Sequence, residues 1–414
     1  MLRLTILLVL ALSPFTIAWC ADWPQWRGVD RNGISNETGL LKEWPKEGPA
    51  LRWKATDLGT GYSSPTIVEG RVYLQTTKGD KEATICLEEA TGKALWSTEF
   101  GTVGPNTGPQ YPGTRATPTI DGGLLYCLAS NGELACMDRQ SGSLKWKKHL
   151  RTDFGGKPGM WAFSESVLID GDHLICTPGG KEATLVALNK TNGDVVWKCA
   201  VPEGDTAEYA SIMIVQSGAS KQYVQFLRKG VVGVDAATGK FLWKYSKTVD
   251  MGANILTPVV SGNKVFTSGS RTGGAVIEVV ADGEGSKANE IYFNKAITPS
   301  IGGAVLVDKH LYCTTSQALI CVEFETGKVK WSERSVGSAS ICLADGLLYV
   351  RGFTGEVALV APSSESYQEK GRFKQADRSK IQTWTHPVVA NGGLYLRDQD
   401  ILLCYEVAQP KAAK

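Results

Sequence analysis

The 414-residue sequence lacks several features that point to particular classes of protein. It has no block of like charge and a formal net charge of only +2, so we expect neither a nucleic-acid footprint nor a polybasic membrane patch. After the N-terminus, no apolar run approaches the roughly 18 residues of a membrane-spanning helix. The hydrolase pattern Gly-x-Ser-x-Gly is missing, and the four histidines are not spaced as metal ligands, so we expect no metal site.

The N-terminus has the pattern of a secretory signal peptide over residues 1–21. A basic residue precedes an apolar run at 4–12, and small residues near the end of the segment offer cleavage points. We therefore expect a periplasmic or secreted protein with no transmembrane segment after cleavage. Lipidation of Cys20 would need a small residue before it, and Trp19 is large, so we do not expect a lipoprotein.

Cysteine occurs ten times, but never as Cys-x-x-Cys or as an adjacent pair. An exported protein lies where disulfides can form. If residues 131–132 form a two-residue hairpin loop, Cys127 and Cys136 lie directly opposite each other, and Cys313 and Cys321 occupy the corresponding places. Either pair could form a strained cross-strand disulfide, or all four could be buried free thiols.

One motif recurs five times: an acidic or amide residue, two variable residues, Thr/Ser/Asn-Gly, three variable residues and Trp. The first side chain can close an Asx-type turn, the glycine can take the left-handed conformation, and the tryptophan buries a large ring. The motif therefore predicts a tight hairpin that leads into a tryptophan-bearing strand. The five copies end at Trp96, Trp146, Trp197, Trp243 and Trp331.

A second pattern, two apolar strands joined by a Gly or Asp turn, occurs eight times. Four antiparallel strands every 40–50 residues or so are typical of β-propeller blades. We therefore predict an all-β chain that forms a single eight-bladed propeller over residues 51–408, with a leader at 22–50 and a disordered tail at 409–414. Blades five and seven keep the strand pattern but lack the tryptophan motif. A closed propeller of this kind is expected to be a monomer.

The last blade supplies only three strands, from Trp384 to about Val407. An additional strand at 51–57 carries Trp53 at the position that the other tryptophans occupy. We predict that this N-terminal strand completes the C-terminal blade. Closure of this kind removes the open sheet edges that favour aggregation.

The tryptophan motif resembles the docking repeat of the quinoprotein alcohol dehydrogenase-like, or PQQ-like, propellers, whose form is Ala-x-Asp-x-x-Thr-Gly-x-x-x-Trp. The segment at 22–35 resembles the opening of exported bacterial PQQ-like repeat proteins. The family contains both PQQ-dependent dehydrogenases and the BamB branch of outer-membrane assembly factors, so membership does not decide function. In the family each Trp stacks near the first residue of its own motif, which implies a packing role for the small residues at that position. Here they are Cys86, Cys136, Ala187, Gly233, Cys321 and Cys404.

The candidate ligand site is the funnel where loops lead into the inner strands of the blades. A ring that mixes aromatics, an arginine and a carboxylate suits a polar, planar or sugar-like ligand. The same residues could instead be polar because they face water in the channel. The predicted ring comprises Tyr62, Arg115, Trp161, Tyr209, Asn254, Lys295 and Trp384, with Glu165 and His386 one step further in.

Two functions remain open. The first is an exported binding or scaffold protein whose partner is another envelope protein or a small polar ligand in the funnel. The alternative is a PQQ-dependent quinoprotein dehydrogenase that oxidises an alcohol or a sugar. That chemistry needs carboxylates, usually a bound Ca²⁺, and a catalytic Asp, and the resemblance further implies an adjacent Cys-Cys pair. The sequence has no such pair and no prominent Asp-x-Asp cluster, so it favours a binding protein without an evident cofactor.

Overall fold

The structure is a computed structural model that describes residues 21–105, 113–283, 285–299 and 301–410. Within these ranges lie 33 strands and one five-residue helix, α1 (Leu150–Phe154). The predicted signal peptide, except for its last residue, and tail residues 411–414 lie outside the described residues. No helix among the described residues is long and apolar enough to cross a bilayer.

Two leader strands precede four blades in the first half of the chain. The leader strands are β1 (Ile34–Ser35) and β2 (Leu51–Ala55). Blade one contains β3 (Thr66–Val68), β4 (Arg71–Lys78), β5 (Lys81–Glu88) and β6 (Ala94–Thr102). Blade two contains β7 (Thr119–Asp121), β8 (Leu124–Leu128), β9 (Glu133–Asp138) and β10 (Leu144–His149). Blade three contains β11 (Leu168–Asp170), β12 (His173–Cys176), β13 (Leu185–Asn189) and β14 (Val195–Cys199). Blade four contains β15 (Met213–Ser217), β16 (Ser220–Leu227), β17 (Gly230–Asp235) and β18 (Phe241–Tyr245).

The second half of the chain continues the same arrangement. Blade five contains β19 (Val259–Ser261), β20 (Lys264–Gly269), β21 (Gly273–Asp282) and β22 (Gly285–Asn294). Blade six contains β23 (Ala304–Val307), β24 (His310–Thr314), β25 (Leu319–Glu323) and β26 (Val329–Glu333). Blade seven contains β27 (Ala339–Ala344), β28 (Leu347–Gly352), β29 (Glu356–Ala361) and β30 (Gln368–Lys374). Blade eight contributes β31 (Val388–Ala390), β32 (Gly393–Asp398) and β33 (Ile401–Glu406).

Each blade is an antiparallel sheet of four strands, so the predicted eight-bladed propeller is confirmed. The predicted closure is confirmed as well, because β2 pairs with β33 as the fourth strand of blade eight. Trp53 lies opposite Cys404 in that pairing. The short strand β1 adds to the innermost strand of blade seven in a parallel pairing. The leader therefore takes part in two blades.

Tryptophan docking holds adjacent blades together. Each docking tryptophan lies opposite the small first residue of its own motif, as the resemblance implied; the pairs are Cys86–Trp96, Cys136–Trp146, Ala187–Trp197, Gly233–Trp243, Cys321–Trp331 and Cys404–Trp53. The motif glycine of the next blade packs on the ring: an ideal Cβ on Gly92 would lie 2.6 Å from the Trp53 ring, and one on Gly193 would lie 2.9 Å from that of Trp146. Both glycines have positive φ, so the turn and the packing require the same residue.

Blades five and seven lack the docking tryptophan, and different residues replace it in the two blades. In blade five, Tyr292 lies in the outer strand and the glycine Gly327 of blade six packs on its ring. In blade seven the outer strand offers Gly371, and Trp44 of the leader occupies the space above it. The Trp44 ring lies 5.2 Å from the ring of Phe373, and the backbone N–H of Trp44 donates to the Lys370 carbonyl (3.0 Å). A residue far away in sequence thus restores the packing.

The predicted opposition of cysteines across hairpins is wrong. Residues 130–132 form a three-residue turn between Ala129 and Glu133, so Cys127 lies opposite Ala135, and Cys136 lies opposite Tyr126. Because neighbouring residues on a strand point to opposite faces, the two thiols lie on different sides of the blade. The corresponding pair in blade six, Cys313 and Cys321, is offset in the same way. The nine cysteines of the described ranges are all buried free thiols.

Candidate functional site

The leader crosses the central channel of the propeller. Its backbone pairs with inner strands of the two blades that flank blade eight: Trp23 exchanges two hydrogen bonds with Ile67 of blade one, and the Gly33 carbonyl accepts from the Leu343 N–H of blade seven (2.8 Å). The Ser35 hydroxyl then donates to the Val389 carbonyl of blade eight (2.7 Å). Residues 22–35 therefore bridge the inner strands and close the channel.

Two leader arginines fix this crossing segment. Arg31 donates to the carbonyls of Ser166 (2.7 Å) and Val167 (3.1 Å) in blade three, and to that of Ile212 (3.1 Å) beside blade four. Arg27 donates from Nη2 to the Ala304 carbonyl of blade six. Both arginines are about 4% exposed. The leader thus reaches most of the blades through one short stretch of chain.

Above the leader lies a cup of about 220 Å³ at the centre of the propeller. Its floor is formed by Trp26 and Arg27 of the leader. Six of the nine residues predicted for the funnel line it together: Tyr62, Arg115, Trp161, Tyr209, Trp384 and His386. The other lining residues are Ser164, Ser166, Ser211, Ala253, Ile255, Thr257, Ile301 and Gly303.

Aromatic rings form two groups on the cup wall. Tyr62 and Trp384 are stacked, with ring centroids 4.9 Å apart and an interplanar angle of 25°. Trp161 and Tyr209 meet edge to face at 5.7 Å. Arg115 connects the groups: its guanidinium lies 5.6 Å from the Tyr62 ring centroid and donates to the Trp161 carbonyl (3.1 Å). The wall therefore offers flat apolar faces with a cation beside them.

His386 is a neutral residue beside the floor. Its ring meets Trp26 edge to face at 4.7 Å, and its Nε2 lies 3.0 Å from the Ile301 carbonyl. Burial, together with the charge of Arg27, lowers the pKa of His386 to about 3. The ring is therefore unprotonated at neutral pH, and Nε2 donates its hydrogen to the carbonyl.

Hydroxyl groups line the wall between the blades. In each of three places a backbone N–H donates to a hydroxyl of the next blade. The bonds run from Thr117 to Ser166 (2.9 Å), from Ser166 to Ser211 (3.0 Å) and from Ser211 to Thr257 (3.2 Å). Trp26 also donates its indole N–H to the Thr257 hydroxyl (3.3 Å). Because each hydroxyl accepts here, its own hydrogen points elsewhere. This series locks neighbouring blades and leaves hydroxyl donors on the cup.

Three of the predicted funnel residues are not on the cup. Glu165 is buried behind the wall, where it accepts from the backbone N–H (2.7 Å) and hydroxyl (2.9 Å) of Thr177. Asn254 is also buried, and its amide donates to the Leu227 carbonyl (2.8 Å). Lys295 is exposed in the turn after β22. Strand alternation and loop hydrogen bonds, which the sequence pattern does not specify, point these side chains away.

Sequence reasoning also missed the floor and the hydroxyls. The leader segment at 22–35 was identified only by its resemblance to other proteins, and no role in the site was predicted for it. The two arginines among its glycines and tryptophans could have indicated such a role. The hydroxyl residues recur at the start of inner strands, as in the Ser-Ser-Pro and Leu-Thr-Pro segments at 63–65 and 256–258. Their inter-blade bonds need three-dimensional neighbours to be recognised.

Buried carboxyl groups make the stability of the propeller depend on pH. Burial raises the pKa of Glu82, Glu165 and Glu208 to about 7 in each case. The folded pKa thus lies above the ordinary value, so each group stabilises the fold below pH 4.5 and loses that contribution as the pH rises through 7.

Replacing Glu82 tests this dependence, because Glu82→Gln can keep both interactions with Ser130, the backbone N–H (2.9 Å) and the hydroxyl. Glutamine stays neutral, so we expect the variant to exceed the wild type in stability at pH 8 by up to about 3 kcal/mol, at 1.36 kcal/mol per pKa unit. At pH 5 the two should unfold alike. Urea unfolding at both values measures this, with the exposed Glu182→Gln as control. Equal stability at pH 8 would show that the fold does not raise the pKa of Glu82.

Comparisons with known proteins match this architecture. A family model described as outer membrane protein assembly factor BamB matches residues 30–108 and 80–333. Among curated proteins, BamB of Shewanella oneidensis is 24% identical over 219 residues, which cover 52% of this chain and 51% of that protein. The quinoprotein alcohol dehydrogenase PedH of Pseudomonas putida is 24% identical over 220 residues, which cover 51% of this chain and 33% of that enzyme. The matched part therefore spans about half the length of the first relative and a third of the second.

Solved structures show the same fold at low identity. A europium-containing methanol dehydrogenase superposes with a TM-score of 0.64 and 11% identity, and the match covers 92% of this chain and 90% of that one. BamB from Moraxella catarrhalis superposes with a TM-score of 0.57 and 14% identity, and the match covers 83% of this chain and 99% of that one. Both an enzyme and an assembly factor therefore share the propeller.

Proposed function

Since this chain belongs to the propeller family described by the model of the outer membrane protein assembly factor BamB, we propose that it is an exported binding protein that holds a small planar ligand in its central cup. The closed floor carries this proposal. Trp26 and Arg27 line the cup on the side of the leader, and a concave pocket of this kind can bury most of a small ligand.

The wall supports a planar ligand in particular. A flat ring that enters the mouth meets the stacked pair of Tyr62 and Trp384 on one side and the ring of Trp161 on another. Such aromatic contacts contribute about 0.5–1.5 kcal/mol each beyond the burial of apolar area. The Arg115 guanidinium beside them adds a donor for polar substituents at the mouth.

A PQQ-dependent dehydrogenase fits the residues poorly. That chemistry requires carboxylates that hold Ca²⁺ and an Asp that acts on the substrate. Among the described residues that line the cup there is no Asp or Glu. Glu165 is adjacent in sequence to two cup residues, but it is engaged by Thr177 behind the wall. The described part of the chain likewise contains no group of three His, Cys, Asp or Glu arranged to hold a metal. The relatives' cofactor chemistry is therefore not carried over to this chain.

An envelope protein partner is the second candidate. Apolar side chains stand exposed on the outer strands of four consecutive blades, at Leu51, Leu95, Leu144 and Val195, each about 44–50% exposed. Exposed apolar side chains on the outer strands of neighbouring blades favour contact with another protein. Binding there would be independent of the cup, so variants of the cup distinguish the two candidates.

The proposal is tested with two-ring aromatic probes, 2-naphthoate and 2-naphthamide, by calorimetry or saturation-transfer NMR. We expect Trp384→Ala to weaken binding of the tighter probe about tenfold or more, because it removes one face of the stack. Ile381→Ala is the matched control, since Ile381 is exposed in the same loop and does not line the cup.

Three outcomes would overturn the proposal. One is failure of both probes to bind, and another is equal binding to the wild type and Trp384→Ala. The third is dye reduction with an alcohol after addition of PQQ and Ca²⁺, which would establish the dehydrogenase instead.

A further inference from the structure

Arg27 is a buried cation without a carboxylate partner among the described residues. Its Nε and Nη2 donate to the carbonyls of Arg31 (3.3 Å), Asn32 (2.9 Å) and Ala304, but no described residue accepts a bond from Nη1. Burial lowers the pKa of Arg27 to about 10, so the guanidinium keeps its charge at neutral pH. A buried charge is costly unless it is paired and hydrogen-bonded.

The unbonded end of this guanidinium faces the cup. An ideal Cβ on Gly303 would lie 2.5 Å from Nη1 of Arg27 and 2.9 Å from Cε1 of His386. All three residues line the cup. A side chain at position 303 would therefore cover Nη1, and glycine leaves it open.

Hydroxyl donors surround the same floor. The hydroxyls of Ser166, Ser211 and Thr257 accept backbone bonds and donate to no described residue. The Ser164 hydroxyl is buried with no partner in the described structure. Together with Arg27 they form a surface rich in donors.

Acceptors are scarce there. The lining contains no carboxylate among the described residues, and His386 already directs Nε2 to the Ile301 carbonyl. A neutral ligand would leave the charge of Arg27 unpaired in a largely apolar pocket. An oxyanion would satisfy both the charge and the hydroxyls.

We propose that the ligand of the cup is a small aromatic carboxylate whose anionic group pairs with Arg27 on the floor while its ring lies against the aromatic wall. This inference rests on the proposed function of the cup as a binding site. It assigns Arg27, Ser164 and their neighbours to specificity, whereas Trp384 and Tyr62 provide general affinity for flat rings.

The test compares two probes of the same shape, 2-naphthoate and 2-naphthamide, on the whole mature chain. Calorimetry should find that the wild type prefers the carboxylate by about 10- to 100-fold, as a charge-assisted bond would give. Arg27→Met should remove this preference and leave the amide within about threefold of its wild-type affinity, while Arg27→Lys should keep part of the preference. Arg52→Met, an exposed arginine far from the cup in the fold, is the control and should behave as the wild type.

If Arg27→Met does not fold, a second variant still tests the carboxylate assignment. Ser164→Ala removes a donor without breaking any bond in the described structure, and it should weaken 2-naphthoate by about 3- to 10-fold and 2-naphthamide by a smaller factor. If the wild type binds both probes equally, or if Ser164→Ala and Arg27→Met affect both equally, the carboxylate assignment is overturned and the binding function stands. If neither probe binds, the proposed function itself fails.

Discussion

Arg397→Met is expected to lower the free energy of unfolding by about 3–5 kcal/mol, because it removes the guanidinium that joins blade eight to blade one. Arg397 is fully buried. Its Nη1 donates to the carbonyls of Ser63 (3.2 Å) and Gln75 (2.6 Å), its Nη2 to that of Gly59 (3.3 Å), and its Nε to that of Gln399 (2.9 Å). Methionine fills a similar space but leaves these carbonyls without that donor.

Urea unfolding followed by circular dichroism measures this effect. The control is Arg52→Met, since Arg52 forms an exposed ion pair with Glu406 (2.6 Å) and should lose about 1 kcal/mol or less. Arg397→Lys keeps the charge but cannot reach several carbonyls with one planar group, so it should lose nearly as much as methionine. A loss below 1 kcal/mol for Arg397→Met would mean that strand β2 and the leader segment 22–35 hold the ring of blades closed without this guanidinium.

The fold could be predicted from the sequence because its signals are local and repeated. Each tight turn needs a glycine at positive φ, as at Gly92 and Gly142, and each outgoing strand needs a ring to bury. Trp53 revealed the closure because it had the same spacing as the repeats but lacked its own blade. Physical constraints that act within about ten residues are thus visible in one sequence.

Features that depend on distant contacts could not be predicted in this way. Nothing in the sequence around Trp44 indicates that it replaces the missing ring of blade seven. The opposition of Cys127 and Cys136 failed because the turn holds three residues instead of two, and one residue of register changes the face of every side chain. The burial of Arg27 on the cup floor was not predicted, because a charged residue in a leader is ordinarily exposed.

The residues of the cup also divide into those that the sequence predicts and those that it does not. Six aromatic or basic residues at the starts of inner strands were found because the repeat places those positions at the channel. Glu165 and Lys295 were misplaced because repeat position does not fix side-chain direction in irregular loops. The floor comes from outside the repeat altogether, so a search confined to the blades describes a channel where the chain has a pocket.

Blade four departs from the other docked repeats in a way that makes its small residue irreplaceable. Trp146 and Trp197 donate their indole N–H to a carbonyl in the turn of the next blade, at 3.1 and 3.3 Å. Trp243 faces blade five, whose long hairpin has no such turn, and it donates instead to the Gln222 side chain of its own blade (2.8 Å). The ring therefore lies across Gly233, where other blades carry alanine or cysteine.

We expect Gly233→Ala to cost about 2–4 kcal/mol in unfolding free energy, because overpacking a buried site costs 1–3 kcal/mol and the displaced indole also loses its bond to Gln222. An ideal Cβ at Gly233 would overlap Cε2 and Nε1 of Trp243, an atom pair that belongs to a rigid ring in a buried site. Urea unfolding gives the cost, and the reverse change Ala187→Gly in blade three should cost only about 1 kcal/mol.

A double-mutant cycle identifies the cause. In a Trp243→Leu background the ring is absent, so Gly233→Ala should cost less than about 1 kcal/mol, and the difference between the two backgrounds is the energy of the overlap. Equal costs in both backgrounds would place the strain in the backbone of β17 rather than in the indole. The small residue is then not a uniform requirement of the fold: in blade four its size follows from the acceptor that the indole of Trp243 finds in Gln222, because the next blade offers no acceptor in a tight turn.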